Sequence, residues 1–211
     1  MRRGFPLALA VTLCACAGSP PVPEWQANAH LALRNFESAY LRGDTRAAEA
    51  EFARGRSELA STGRPELVAR AELMRCATQV ASLSLDDCAG FTRLAADAGI
   101  EERVYAEYIA GRWQGLDATR LPEQHRPVVA GGALPADPLA RLVAAGALFR
   151  AGRITPPGIE AAVVTASDSG WRRPLLAWLG VQEKRASEAG DGESASRYRR
   201  RIELITKEGS Q

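Results

Sequence analysis

Apolar and alanine positions recur at spacings of three and four along most of the chain, the period of one buried helix face. The alternation of two that marks a half-buried strand is nearly absent. The pattern predicts helices over residues 25–41, 45–60, 65–81, 85–98, 101–113, 138–150, 157–167, 172–188 and 192–206. The residues between these runs suit helix ends. Gly43, Gly99, Gly111, Gly152 and Gly190 each close an apolar-periodic run. Pro65 opens one, and Asp137-Pro138 and Thr155-Pro156 each pair a capping oxygen with a proline at the first helical position. Ser84-Leu85-Asp86-Asp87 reads as a capping box that would put Cys88 in the first turn of a helix. The connections are short, so consecutive helices are expected to pack antiparallel. The fold class is all-α.

Residues 114–136 break the pattern. They carry three prolines and a Gly-Gly pair, and predict a long connection or a broken helix, a candidate join between two sub-bundles. An irregular segment this long in a compact fold is either functional or a misread element.

Two of the turns share a pattern. Gly43-Asp44 is followed by Ala48, and Gly190-Asp191 by Ala195, each alanine four residues after the aspartate. Phe52 and Gly55 then supply a large and a small residue on the second helix of the first pair. These stretches resemble degenerate tetratricopeptide-repeat hairpins, in residues 30–60 and 172–206. The spacing between them does not keep the family's 34-residue repeat. The resemblance implies antiparallel hairpins stacked as a tetratricopeptide-like α-solenoid. An irregular helical bundle is the alternative.

The chain opens with Arg2 and Arg3, then an apolar run over residues 7–13. That run suits the core of a signal peptide and falls short of the roughly 20 residues that a spanning helix needs. Leu13-Cys14-Ala15-Cys16 resembles the lipobox of bacterial lipoproteins. The resemblance implies a signal peptide over 1–15 and a lipid on Cys16, with Cys14 leaving in the cleaved piece. Ala17, not Asp, follows Cys16, which in that family implies sorting to the outer membrane. Residues 16–23 would be a Pro-rich tether and 24–211 the helical domain, on the periplasmic face.

Export bears on the remaining cysteines. Cys76 and Cys88 flank one predicted helix turn, and two thiols in an oxidising compartment are expected to pair. Level positions on an antiparallel hairpin would bring their Cα atoms within the roughly 7 Å that a disulfide needs.

Charge excludes more than it suggests. The chain holds 27 Lys+Arg and 25 Asp+Glu, and the two surplus cations are Arg2 and Arg3 of the leader. The balanced remainder argues against nucleic-acid binding. The last forty residues are locally basic through Arg199, Arg200 and Arg201, a candidate partner-binding face or an ordinary solvated one. Trp171, at a helix start, is a second candidate for contact with a partner. Arg42-Gly43-Asp44 spells an adhesion tripeptide but reads as a hairpin turn.

Catalytic patterns are missing from the sequence. His30 and His125 are the only histidines, and neither has a second ligand at metal spacing. His125, in the irregular segment, is the better placed for function but has no paired nucleophile in view. No cofactor motif is present, and the expected cofactor and metal sets are empty. The expectation is therefore a lipid-anchored periplasmic scaffold or adaptor binding a protein partner in envelope assembly. A peptidoglycan hydrolase or its activator is one alternative, and a lipid or small-ligand carrier another. The alanine-rich composition favours tight packing over a cavity.

Overall fold

The three-and-four period becomes helix almost everywhere it was read. The computed structural model describes residues 22–208, and among them are α-helices and short 3-10 turns but no strand. The helices are α1 (Glu24–Arg42), α2 (Thr45–Ala60), α3 (Pro65–Val80), α4 (Ala89–Thr92), α5 (Ile100–Ile109), α6 (Arg126–Val129), α7 (Pro138–Arg150), α8 (Pro156–Asp168), α9 (Arg172–Glu188) and α10 (Gly192–Glu208). The expected signal peptide over 1–15, Cys16 and most of the expected tether over 16–23 lie outside the described residues.

The helices pack in neighbouring antiparallel pairs, an all-α stack of hairpins. In the first pair, Phe36 of α1 meets Phe52 of α2 with ring centroids 5.2 Å apart. Ala48 and Gly55 let the two helices close up: a Cβ on Gly55 would lie 3.0 Å from Leu33 Cγ. The turn before α2 is built as the sequence suggests. Gly43 takes a left-handed backbone with φ +93°, and Asp44 accepts a hydrogen bond from the Ala47 amide at 2.9 Å. Asp137 and Thr155 cap α7 and α8 in the same way, with Pro138 and Pro156 at the first helical position.

The core has two parts. One joins α1, α2 and the start of α3 around Phe36, Phe52 and Leu41. The other joins α3, α5, α7, α8 and α9 around Tyr108, Leu142, Ile159 and Trp178. Leu94, Leu139 and Trp171 pack against both. Between α3 and α7 the backbones nearly touch, and a Cβ on Gly146 would run into the Val80 carbonyl oxygen.

One predicted helix does not form as read. Residues 85–98 hold only the single turn of α4, followed by irregular turns. The Ser84 capping box is not used. Leu83 adopts φ +56° and the Ser84 amide bonds back to the Gln79 carbonyl at 3.1 Å, so Ser84 closes α3 instead of opening a helix. Cys88 also has a left-handed backbone, φ +50°, and stands just before α4. Gly99 likewise starts α5, where the sequence reading made it a helix stop.

Cys76 and Cys88 do pair. Their Cα atoms are 5.6 Å apart, and the disulfide ties α3 to the irregular segment after it.

Candidate functional site

Residues 114–136 fold as a series of short turns laid against the second core. Asp117 caps a 3-10 turn, Ala118–Arg120, by accepting from the Thr119 amide at 3.1 Å. Leu121, 1% exposed, plugs the chain into the core. Pro122 then fixes the backbone for a second turn, Glu123–His125, in which the His125 amide bonds to the Pro122 carbonyl at 2.8 Å. The Arg126 Nε hydrogen reaches back to the Leu121 carbonyl at 2.8 Å and locks the loop. The net effect is to turn a histidine inward, where it is 2% exposed.

His125 meets an aromatic cluster from α5. Its Nδ1 lies 3.2 Å from the Tyr108 hydroxyl, and its ring centroid is 5.5 Å from that of Tyr105. Tyr108 is stacked on Trp113 at 5.3 Å and 6°, and Trp113 Nε1 donates to the Tyr108 carbonyl at 2.7 Å. Burial holds His125 down to about 4, partly opposed by the Asp137 carboxylate. The ring is therefore neutral at pH 7. Burial also keeps both phenols well above their usual range, so neither ionises.

On one side of this cluster lies a cleft of about 560 Å3, bounded by α3, α5, the 120–126 turns and α7. Leu73, Met74 and Ala77 come from α3, Tyr105 from α5, and Leu139 and Val143 from α7. Its charged residues are largely spoken for. Arg70 pairs with Glu102 at 2.6 Å, and Arg120 with Glu101 at 3.3 Å and Asp117 at 3.2 Å. Asp137 gives one oxygen to the Ala140 amide at 2.8 Å as the cap of α7. A concave, mainly apolar space of a few hundred Å3 with few polar groups is the usual form of a small-molecule site.

The residues singled out in the sequence fall elsewhere. Trp171 is half-buried as a wedge between the two cores. Arg199 is ion-paired to Glu183 of α9 at 2.5 Å. Glu183 lies twelve residues along α9 from Trp171, about 18 Å at 1.5 Å per residue. Successive helical residues point about 100° apart, so Arg199, Arg200 and Arg201 do not share one face, and Arg201 is half-buried while the other two are exposed. His30 is an exposed residue of α1. Among the described residues, no group of three or more His, Cys, Asp and Glu could hold a metal ion. No described helix is long and apolar enough to cross a membrane.

Only His125 among the sequence candidates lines the cleft. The cleft itself was not legible, because its walls come from four segments far apart in the chain. The signal was the proline-rich interruption with a histidine inside it.

No protein-family model, no curated protein and no solved structure matches this chain.

Proposed function

We propose that this protein is a lipid-anchored, non-catalytic scaffold on the periplasmic face of the outer membrane, holding a protein partner in an envelope assembly. The observation that carries it is the hairpin stack stapled by Cys76–Cys88. Stacked hairpins offer long helical surfaces suited to docking, and a structural disulfide suits an exported chain. The lipobox-like Leu13-Cys14-Ala15-Cys16 supports the anchor. A lipid on Cys16 would hold the domain at the membrane, and acylation by two or more chains is what makes such anchoring stable. The test is co-purification in mild detergent from the protein's own envelope, with Cys16→Ser as control. One stoichiometric partner, reduced in the control, supports the reading. A Cys16→Ser protein still held at the membrane contradicts the anchor.

A second reading is carriage of a lipid or small ligand. The cleft of about 560 Å3 beside His125 favours it, in spite of the alanine-rich composition that argued against a cavity.

A further inference from the structure

Resting on the ligand-carriage reading, we propose that the cleft takes an uncharged, largely apolar small molecule and anchors it through one neutral oxygen, such as a carbonyl, that accepts a hydrogen bond from His125 Nε2.

The tautomer of His125 follows from its partner. The Tyr108 side chain is fully buried, and its hydroxyl reaches one group, Nδ1 of His125, at 3.2 Å. A buried hydroxyl that fails to donate costs about 1–3 kcal/mol. Tyr108 therefore donates to Nδ1, and the single proton of the neutral ring sits on Nε2. Nε2 has no hydrogen-bond partner among the described residues. It is also not among the unpartnered side-chain atoms sealed from solvent in the described residues, which are Ser82 Oγ and Gln182 Oε1. On a ring that is 2% exposed and lines the cleft, this N–H opens onto the cleft. A donor is thus aimed into an apolar space, without an acceptor.

The charges around it select a neutral ligand. Three arginines and three carboxylates line the cleft, so its charges cancel in sum: Arg70 and Arg120 are matched by Glu102 and Glu101, while Arg126, bonded to the Leu121 carbonyl through its Nε, carries its charge at the exposed rim. The acid whose field reaches His125 is Asp137. A carboxylate on Nε2 would meet that field, and a cation would face an N–H donor. An ionised group held at Nε2 would also lose much of its hydration to a mainly apolar wall. The apolar body of the ligand would lie along Leu73, Met74, Tyr105, Leu139 and Val143. Tyr108 acts as a positioning residue, fixing which ring nitrogen carries the hydrogen.

Three fluorescent probes test this on the folded chain: an uncharged dimethylaminonaphthyl ketone, the same naphthalene without its carbonyl, and the corresponding naphthoate. The ketone is expected to bind with a blue-shifted emission, about tenfold more tightly than the carbonyl-free probe, the worth of one neutral hydrogen bond. His125→Phe should remove that tenfold advantage and leave the carbonyl-free probe unchanged. His125→Gln, which keeps an N–H, should retain most of it. Tyr108→Phe should reduce it only in part, because Nδ1 can then take the proton in the free protein and the ketone must select the Nε2–H tautomer on binding. Equal affinity for ketone and carbonyl-free probe in the unmodified protein overturns the anchor and leaves carriage standing. Preference for the naphthoate overturns the uncharged class. No binding of any probe, or binding that survives a cleft-filling Met74→Trp, overturns carriage in this cleft. Should His125→Phe fail to fold, the probe comparison in the unmodified protein still decides.

Discussion

Two residue-level features carry energies large enough to measure. The Cys76–Cys88 bond spans a separation of 12 residues, and closing a loop of that size in the unfolded chain is worth about 2–3 kcal/mol. Cys76→Ala with Cys88→Ala should lower the unfolding free energy by about that much in urea titration. The pairing was legible because two thiols flank one turn. The assumed cause was only half right, since Cys88 sits in left-handed backbone outside any helix. His125 gives a pH dependence with a definite sign. Burial depresses it from the usual 6.5 to about 4, so folding favours the neutral ring. Its contribution is complete above pH 6.5 and is lost as pH falls toward 4, a loss on the order of 3 kcal/mol. His125→Gln should flatten the stability profile across that window, measured by urea midpoints at stepped pH. An unchanged slope would show that other groups set the acid sensitivity.

At the scale of elements, the close approach of α3 and α7 depends on Gly146. A Cβ there would meet the Val80 carbonyl oxygen, which is backbone and cannot swing aside. Gly146→Ala should destabilise the fold by about 1–3 kcal/mol despite alanine's better helix propensity. Thermal unfolding followed by circular dichroism would detect the drop, and a gain in melting temperature would contradict the contact. Gly180 on α9 is the internal control, because a Cβ there meets nothing within 4 Å; Gly180→Ala should hold or raise stability. Glycine in the middle of a helix is visible in the sequence, yet the two positions look alike there. Which one faces a neighbouring backbone depends on how the helices cross. The same limit explains the lost helix at 85–98. Its period was real, but the helix-ending turn at Leu83 and the disulfide at Cys88 placed the chain where a continuous helix did not form.

Across the whole molecule, long-range contacts tie the far ends of the stack together. Arg173 donates to the Tyr40 carbonyl and the Thr45 hydroxyl, both at 2.7 Å, with its guanidinium 4.3 Å over the Tyr40 ring. Trp178 Nε1 donates to the Ala81 carbonyl at 3.1 Å. The Arg173 contacts span more than 120 residues and brace α9 against the α1–α2 turn. Arg173→Ala should raise amide exchange in α1 and α2 well before it affects α7 and α8. Uniform loosening of the whole chain would instead mean that the hairpins unfold as one unit.

The sequence by itself determined the class, most of the helix ends and the staple, because these rest on local chemistry: a period of three and four, caps such as Asp44 and Asp137, prolines at first helical positions, and two nearby thiols. The tertiary structure alone decided where a ligand has room. The cleft exists because α3, α5, α7 and the Pro122–Arg126 turns converge around a histidine turned inward, and no local pattern records which distant side chains will face one another. Tyr108 shows the difference most plainly. In the sequence it is one apolar position of a helix; in the fold its hydroxyl decides which nitrogen of His125 carries a proton.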